Sequence, residues 1–358
     1  MKIAVVGGGI FGSVAAIFLS QEGHQVSLFE QHNDLLMGAS RNNQNRLHLG
    51  FHYPRDFETA QQSLKGFNEF RRLFEEECFA AFPMYYAISA HNSRTNAFEY
   101  QTFMKKANLN FENVDIRTLT EFGLDTKTIS HAWKVFEGVV DNDLLRDKIR
   151  QKLQCSGAEL RFAEKVYSVS LAAENWIIEL ASSTETFDVV IKATYGVDEI
   201  TYEKKSSEEA KSLYQATLVM ECEFPATPFG ITVMDGDFIS VLPKGRSSKF
   251  LIYAPTPSVL GESSAPNHLE HFLCSPKAIQ SALTNLESRF ISFFPEYAHS
   301  LANTQGLTTI RNLEAKSIES AKRVSKIERI AENFFNIRSG KIDHSIEIAI
   351  QLCEILRR

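Results

Sequence analysis

The chain has 358 residues, of which 44% are apolar and 23% charged, with 18 Gly and only 10 Pro; this composition excludes a disordered or collagenous chain. Its 38 Lys and Arg residues against 44 Asp and Glu give a formal net charge of −6 without a long basic run, so we expect no nucleic-acid partner. At roughly 150 residues per domain, the length predicts about two domains with a substantial core.

Cysteines and apolar runs bear on the compartment of the protein. The 5 Cys residues are scattered, with no CxxC pair and no zinc-ligand spacing, which predicts reduced thiols and no metal site. The apolar run that begins at Ile3 stops at Gly7, too short for the core of a signal peptide, and no stretch of about 18 apolar residues occurs. We therefore expect a cytoplasmic protein without a membrane span, in an oligomeric state that the sequence does not reveal.

The first thirty residues carry the pattern strand, glycine turn, helix and strand. In residues 2–6 every residue after Lys2 is apolar and three of them are β-branched, as in a parallel strand that is buried on both faces. From Ile10 the apolar residues recur at helical spacing, and Gly23 is typical of a helix end. Residues 25–29 predict a second strand, which is followed by Glu30. The pattern is that of a βαβ unit.

Three glycines between the first strand and the helix stand in the frame G-x-G-x-x-G. Gly7 permits a tight turn, Gly9 lets a pyrophosphate approach the backbone, and Gly12 lets the helix pack closely on the strand. The helix N-terminus offers N–H groups and a positive dipole end to phosphates. A carboxylate at Glu30 accepts hydrogen bonds from ribose hydroxyls and repels a 2′-phosphate, which favours FAD or NAD over NADP. The residues expected to contact the dinucleotide in this unit are Gly7, Gly9, Ile10, Phe11, Gly12, Glu30 and Gln31.

Residues 37–55 form a polar segment, M-G-A-S-R-N-N-Q-N-R-L-H-L-G-F-H-Y-P-R, with neither helical nor strand periodicity. Amide, Arg and His side chains are dense in it, while Leu47, Leu49, Phe51 and Tyr53 are interleaved with His and Gly. This interleaving predicts a segment that is buried against something flat and polar rather than a solvated loop.

The rest of the chain alternates between further helices and strands. The predicted elements are, in chain order, a long helix at 57–79, strands at 84–89 and 216–224, a hairpin at 232–242 and 249–253, one or two helices at 267–293, a strand at 334–337, and a terminal helix with Ile346, Ala349, Ile350 and Cys353 on one face. A glycine turn at Gly340 precedes the terminal helix.

These residues together resemble the D-amino-acid-oxidase-like (DAO) superfamily of FAD-dependent oxidoreductases. The family opens with a GxGxxGxxxA turn and a ribose-binding acid, here within 7–30, followed by a Gly-Ala-Ser segment, here 38–40. A polar loop then crosses the flavin. The stretch Asn45-Arg46-Leu47-His48 resembles the part that passes over the isoalloxazine in sarcosine-oxidase-like members.

Later segments resemble other parts of the family's cofactor site. Residues 136–144 resemble the start of the helix that precedes the family's second cofactor-contacting strand, and residues 157–166 resemble the strand whose backbone reaches the adenine. Residues 187–196 resemble the strand and glycine turn that close the cofactor site. Thr194-Tyr195 departs from the two small residues that are usual before this glycine. At 339–343 the family brings backbone N–H groups to the flavin, and the resemblance implies that Lys341 adds a positive charge near flavin N1/O2. The contacts that the resemblance adds are Ser40, Arg41, Asn45, Arg46, Leu47, Val166, Ala193, Gly196, Gly340, Lys341 and Ile342.

The resemblance implies an α/β fold in which a Rossmann-like FAD-binding domain of the glutathione-reductase type carries an inserted substrate domain with a mixed or antiparallel sheet. We expect the FAD-binding domain in residues 1–81, 131–201 and 304–358, and the substrate domain in 82–130 and 202–303.

The resemblance also implies the chemistry. The flavin takes a hydride at N5 from a C–H bond next to an amine or hydroxyl of an amino acid, an amine or a 2-hydroxy acid, so the protein must position that bond and set the protonation of the donor. The candidate catalytic groups are Arg46, placed over the flavin, and His48, His52 and Tyr53. In this family an arginine often holds a substrate carboxylate. Candidates besides Arg46 are Arg55, Arg246, Arg311 and Arg323.

Other interpretations remain open at this point. An NAD-dependent dehydrogenase uses the same glycine turn but needs neither the polar segment after Ser40 nor the turn at Gly340. A non-oxidative flavoprotein that acts on a sugar nucleotide needs several arginines facing a diphosphate. A nucleotide-binding module without activity does not need such large inserts. A covalent flavin through His48 or His52 is also left open.

Overall fold

The computed structural model describes residues 1–196, 200–202, 212–314 and 323–357. The strands are, in chain order, β1 (Lys2–Val6), β2 (Gln25–Glu30), β3 (Arg46–Leu47), β4 (Phe79–Ala80), β5 (Met84–Ser89), β6 (Phe111–Val114), β7 (Ile129–Val135), β8 (Gly138–Val140), β9 (Glu159–Phe162), β10 (Ser168–Ala172), β11 (Asn175–Glu179), β12 (Thr184–Phe187), β13 (Val189–Lys192), β14 (Thr201–Tyr202), β15 (Ser212–Glu223), β16 (Gly230–Met234), β17 (Ser240–Pro243), β18 (Lys249–Tyr253), β19 (Val259–Ser263), β20 (Ala302–Glu314), β21 (Lys326–Ala331) and β22 (Phe334–Arg338). The helices are α1 (Ile10–Gln21), α2 (Phe57–Phe74), α3 (Ala97–Lys106), α4 (Asn142–Ser156), α5 (Glu270–Leu273), α6 (Pro276–Phe293) and α7 (Ser345–Leu356). Among the described helices, none is long and apolar enough to cross a membrane.

The N-terminal unit has the predicted form. β1 and β2 pair in parallel, and α1 begins at Ile10, directly after the glycine turn. After Lys2, β1 is apolar throughout because both of its faces are buried. Ile3 and Val5 belong to the core that includes α1 and α7, while Ala4 and Val6 pack with side chains of β11 and β12.

The first of the two large sheets has six strands in the order β21-β22-β13-β1-β2-β9. The strands from β22 to β9 are parallel, and β21 pairs with β22 in the antiparallel sense. Side chains of α1, α2, α4 and α7 form the core on one face of this sheet. The four-stranded sheet β12-β11-β10-β14 covers the other face.

The second large sheet has the order β19-β15-β18-β17-β16-β5-β7-β6, and β20 pairs with β15 as well. Its pairs are antiparallel except for β5 with β16, which are parallel. α6 packs on one face. We propose that the six-stranded sheet forms the cofactor domain and this nine-stranded sheet the substrate domain. On that division β7 and β20 belong to the substrate domain. Each of these strands crosses an expected domain boundary, β7 the one at 130/131 and β20 the one at 303/304.

Two helices differ from the prediction. The helix predicted at 57–79 ends at Phe74, because Glu75 adopts a φ of 62°, outside the helical region; a short 3₁₀ turn and β4 follow. In α7 the predicted buried face is wrong at Ile350, which is 36% exposed. Ile348 is fully buried in its place, because the buried face of α7 is broader than the predicted stripe.

The region predicted as one strand at 232–242 is two strands. β16 and β17 are antiparallel neighbours, and the chain reverses between them at 235–239. Gly236 has a φ of 153° in this reversal, a conformation that favours glycine. The hairpin predicted with 249–253 is formed by β17 and β18.

Candidate active site

A cleft of about 1070 Å³ lies between the two large sheets. One side is lined by the carboxyl ends of β1 and β2 and by the segment that follows β13. Residues of β15, β16 and β20 line the other side. In an open parallel sheet, the crevice at the carboxyl ends of the strands is the usual place for a ligand.

The glycine turn forms one wall of this cleft. Gly7 has a φ of 110°, and a Cβ there would lie 2.7 Å from the carbonyl oxygen of Ala193. A Cβ at Gly12 would lie 2.0 Å from the carbonyl oxygen of Gly7, so α1 packs against the turn in direct backbone contact. At Gly9, among the described atoms, a Cβ would meet within 4 Å only the Ser40 hydroxyl, at 3.4 Å. The backbone at Gly9 is therefore open to the cleft.

The N-terminus of α1 points its free backbone donors towards the same place. Gly9 is the N-cap residue, and the N–H of Ile10 donates to Ser40 Oγ at 3.2 Å. Ile10, Phe11 and Ser40 all line the cleft. Because the first N–H groups of a helix have no acceptor within the helix, this end presents donors and partial positive charge to a bound anion.

Glu30 lies at the end of β2 with its carboxylate held in place. Oε2 accepts from the N–H of Gly8 at 2.7 Å, and Oε1 accepts from the N–H of His32 at 2.9 Å. Each carboxylate oxygen has a second lone pair, so two acceptor sites remain for a diol. Gln31 and Val166 line the cleft beside it.

Most of the predicted cofactor residues line the cleft, and five do not. Leu47 is buried in the core, Gly12 packs on Gly7, and Gly196 lies against the side chain of Asn312. Asn45 is buried, and its carbonyl accepts from the N–H of Val140 because β3 pairs with β8. Arg41 is exposed and contacts Met37. The predicted residues that line the cleft are Gly7, Gly9, Ile10, Phe11, Glu30, Gln31, Ser40, Arg46, His48, His52, Tyr53, Val166, Ala193, Gly340, Lys341 and Ile342.

Arg46 is buried and connects the polar segment to the nine-stranded sheet. Nη1 donates to Tyr86 Oη at 2.8 Å, and Nη2 donates to Thr232 Oγ1 at 2.5 Å and to Ser240 Oγ at 2.6 Å. These three partners are neutral. The sequence offered no sign of them, because they lie on β5, β16 and β17 and meet Arg46 only through the sheet pairing.

Glu137 supplies the negative charge closest to this network. Tyr86 Oη donates to Glu137 Oε2 at 2.9 Å, and the N–H of Leu49 donates to Oε1 at 2.7 Å. Burial raises the pKa of the Glu137 carboxyl, and the positive charge of Arg46 opposes that rise. The sequence could have indicated this buried acid, because Glu137 stands within the otherwise apolar stretch from 135 to 140.

His48 and Lys341 meet at the floor of the cleft, where the polar segment reaches the turn before α7. Lys341 Nζ lies 3.2 Å from His48 Nε2 and 5.6 Å from the centre of the Tyr53 ring. Burial, and then the charge of Lys341, lower the pKa of His48 well below its usual value. Burial, and then the charge of Arg323, lower the pKa of Lys341 to about 7. The floor is thus short of compensating negative charge.

His52 and Tyr53 complete this floor. The two rings lie 5.4 Å apart in an edge-to-face arrangement, and His52 lies 5.6 Å from His48. Burial, and then Lys341 and Arg46, lower the pKa of His52, which keeps the ring neutral. Three buried polar atoms in these side chains have no hydrogen-bond partner among the described residues: His48 Nδ1, His52 Nδ1 and Tyr53 Oη.

Of the remaining predicted arginines, three line the cleft. Arg311 on β20 donates from Nε to Gln215 Oε1 and from Nη1 to Tyr253 Oη, both at 2.6 Å. Arg55 forms an ion pair with Asp235 at 2.7 Å. Arg323 is buried enough that its pKa falls, with Arg311 as the next cause. Arg246 lies elsewhere, where it donates to backbone carbonyls of residues 77 and 79.

The glycine turn before α7 rests on a buried hydrogen-bonded chain that the sequence analysis did not include. The N–H of Gly340 donates to Ser325 Oγ at 2.7 Å, and Ser325 Oγ lies 3.0 Å from His344 Nδ1. On the other side of the ring, Ser63 Oγ lies 3.1 Å from Nε2. Burial, and then the charge of Lys341, lower the pKa of His344 to about 3.

The parallel sheet, the open glycine turn, the anchored acid and the second sheet over one cleft define a dinucleotide-dependent oxidoreductase. The sequence model of the family described as DAO, FAD dependent oxidoreductase, matches residues 2–315. The chain belongs to this family, and its cofactor is FAD. The predicted fold class and cofactor are thereby confirmed, and the NAD-dependent alternative is excluded.

Two relatives and two solved structures illustrate the family. The FAD-dependent monooxygenase FPY4 of Fusarium mangiferae is 28% identical over 347 residues, which cover 96% of this chain and 87% of that protein. The FAD-dependent monooxygenase kojA of Aspergillus flavus is 28% identical over 255 residues, or 68% of this chain and 58% of that protein. Glycine oxidase from Geobacillus kaustophilus superposes with a TM-score of 0.77 at 14% identity, covering 100% of this chain and 95% of its own. L-proline dehydrogenase from P. horikoshii gives a TM-score of 0.73 at 13% identity, covering 99% and 92%. At these identities the structures show a shared fold alone.

The residues of the cleft fit FAD. Gly9 has no Cβ, so the backbone at the N-terminus of α1 leaves room for a pyrophosphate. Glu30 retains acceptor sites for a ribose. The unpartnered polar atoms of His48, His52 and Tyr53 lie in the side chains at the opposite end. FAD fits both regions, because its pyrophosphate and ribose can occupy the first and its polar ring system the second.

We predict that Gly9→Val gives folded but colourless protein. Among the described atoms the added Cβ meets only the Ser40 hydroxyl, at 3.4 Å, but the side chain fills the space that a pyrophosphate needs. Bound flavin is measured by absorbance, and folding by thermal unfolding. Gly12→Ala is the comparison, because its Cβ strikes the Gly7 carbonyl and we expect it to lower stability as well as flavin content. Full flavin content in Gly9→Val would contradict the assignment of the turn.

We predict that His344→Gln flattens the dependence of stability on pH. The folded-state pKa of about 3 lies below the value of about 6.5 expected for an unfolded histidine, so the unfolded chain takes up the proton first as the pH falls. The native histidine therefore stabilises the fold fully above about pH 6.5 and loses about 1.4 kcal/mol per pH unit below it. Urea unfolding of FAD-saturated protein at two pH values, one unit apart between pH 4 and 6, measures this slope. His268→Gln, at an exposed position, is the matched control; equal slopes for wild type and His344→Gln would refute the prediction.

Proposed function

We propose that the chain oxidises a carboxylate-bearing substrate, an amino acid or a 2-hydroxy acid, at the C–H bond next to its amine or hydroxyl group. Arg311 carries this proposal. Its two hydrogen-bond acceptors, Gln215 and Tyr253, are neutral, and no ion pair to Arg311 occurs among the described residues. A guanidinium in a cleft without a countercharge is suited to bind a carboxylate through two parallel hydrogen bonds.

In this proposal, FAD lies along the cleft from Glu30 to Lys341. The pyrophosphate lies against Gly9 and the N-terminus of α1, and Glu30 accepts hydrogen bonds from the ribose. The reactive ring lies beside Arg46, His48 and the turn at 340–342. Two observations support this placement. The residues line one continuous cleft, and their hydrogen-bond donors and acceptors match the two ends of the cofactor.

The side chains around the ring end control protonation. FAD, when bound, supplies the acceptor for the hydride. Burial, and then the positive charges of Lys341 and Arg46, lower the pKa values of His48 and His52, and the same charges disfavour an ammonium on the substrate. A substrate amine is therefore held neutral, with its lone pair available. His52 is neutral and lines the cleft, so it is our candidate to form a hydrogen bond with the amine or hydroxyl of the substrate.

The names of the relatives point to a second outcome of the same chemistry. FPY4 and kojA are named monooxygenases, in which one atom of O₂ enters a product. The solved neighbours are named oxidases or dehydrogenases of amino acids. Anaerobic mixing separates the two: a dehydrogenation bleaches the flavin with substrate alone. Reaction under ¹⁸O₂ then shows whether oxygen leaves as peroxide or enters the product.

We predict that Arg311→Met weakens carboxylate binding by about 2 kcal/mol, or roughly 30-fold, because charge-assisted hydrogen bonds are lost. Arg246→Met is the matched control, because Arg246 lies outside the cleft. The measurement is the KM of amino acids and 2-hydroxy acids that bleach the wild-type flavin. If Arg311→Met and Arg246→Met retain equal KM values, Arg311 does not anchor the substrate.

A further inference from the structure

Three side chains form a row across the edge of the nine-stranded sheet. Arg311 on β20 stands opposite Gln215 on β15, and Gln215 stands opposite Glu262 on β19. Hydrogen bonds follow the row: Arg311 Nε donates to Gln215 Oε1, and Gln215 Nε2 donates to Glu262 Oε1. All three residues line the cleft, and Gln215 is only 7% exposed.

An amide is the side chain that satisfies both neighbours at the middle position. Arginine has only donors and an ionised carboxylate has only acceptors, so position 215 must accept on one side and donate on the other. A carboxylate there would neutralise Arg311 and face Glu262 with like charge. A lysine would face Arg311 with like charge. Gln215 therefore keeps the carboxylate of Glu262 one side chain away from the guanidinium.

The row also fixes the orientation of the guanidinium. With Nε bound to Gln215 and Nη1 bound to Tyr253, the plane of Arg311 is held at two points. The two N–H groups of Nη2 and the second N–H of Nη1 remain for a ligand, since arginine carries five donors. A guanidinium holds its N–H groups in a fixed planar fork, which is the geometry that a carboxylate binds.

We propose that Gln215 is the specificity-determining residue of the anion pocket: its neutral amide orients Arg311 without cancelling its charge, so that the cleft selects a carboxylate over the isosteric carboxamide. This inference rests on the proposed role of Arg311 as the substrate anchor. Gln215 acts through Arg311 and is a positioning residue rather than a catalytic one.

The test is the binding of propionate and of its neutral isostere propionamide to the FAD-loaded enzyme, followed by the change in flavin absorbance on titration. In wild type, propionate binds more tightly than propionamide. In Gln215→Glu the new carboxylate pairs with Arg311, and we expect propionate binding to weaken roughly 100-fold while propionamide changes less than about threefold. Gln215→Met retains the size of the side chain and the charge of Arg311 but loses its orientation, and we expect a weakening of roughly 10-fold.

Two comparisons separate the possible failures. Gln101→Glu adds the same charge outside the cleft and should leave both affinities unchanged. If Arg311→Met binds propionate as wild type does, the proposed substrate anchor is wrong. If Arg311→Met loses propionate but Gln215→Glu retains the wild-type preference for it over propionamide, the anchor stands and the role of Gln215 is refuted. A parallel loss of both ligands in Gln215→Glu indicates damage to the pocket and also counts against a role in charge selection.

Discussion

The candidate site depends on placing several positive charges, one of them buried, around one cleft with mostly neutral partners. Arg46 binds three hydroxyl groups, Arg311 binds an amide and a phenol, and Lys341 lies against a neutral imidazole. Buried charges that lack a countercharge cost free energy. Part of that cost appears as the lowered pKa of Lys341, and part is offset by the carboxyl of Glu137. FAD brings two phosphates to the cleft, and the substrate carboxylate that we propose would bring further negative charge.

The buried carboxyl of Asp343 belongs to the same balance. It is fully buried, two residues after Lys341, and burial raises its pKa to about 7 while the charge of Lys341 opposes the rise. Burial therefore pushes both partners towards their uncharged forms. The backbone on either side of these two residues is held in place by hydrogen bonds, because Gly340 is bound to Ser325 and Ser325 is bound to His344. The hydrogen-bonded backbone at Gly340 and His344 and the two groups with shifted pKa values, Lys341 and Asp343, thus lie in the same short segment. This segment lies next to the proposed position of the reactive ring.

The sequence predicted what local chemistry determines. The unit from Lys2 to Glu30 was predicted to within a residue or two, because glycine spacing, helical periodicity and strand composition all act within thirty residues. The hydroxyl partners of Arg46 could not be predicted, since Thr232 follows it by 186 residues in the chain and approaches it only through the pairing of β5 with β16. In the same way Arg246 and Arg311 are both candidates in the sequence, and only the arrangement of the strands shows that Arg246 lies outside the cleft and Arg311 in it.

Strand register determines which side chains meet in this cleft. Side chains on adjacent strands meet only when the strands are aligned, and a shift of one residue turns each of them to the opposite face. Arg311, Gln215 and Glu262 are aligned just before the irregularity at residues 216 and 217, where the pairing of β15 with β19 changes register. The row thus depends on a register between β15 and β19 that changes directly after residue 216. The dinucleotide turn does not depend on this alignment, because the turn belongs to the other sheet.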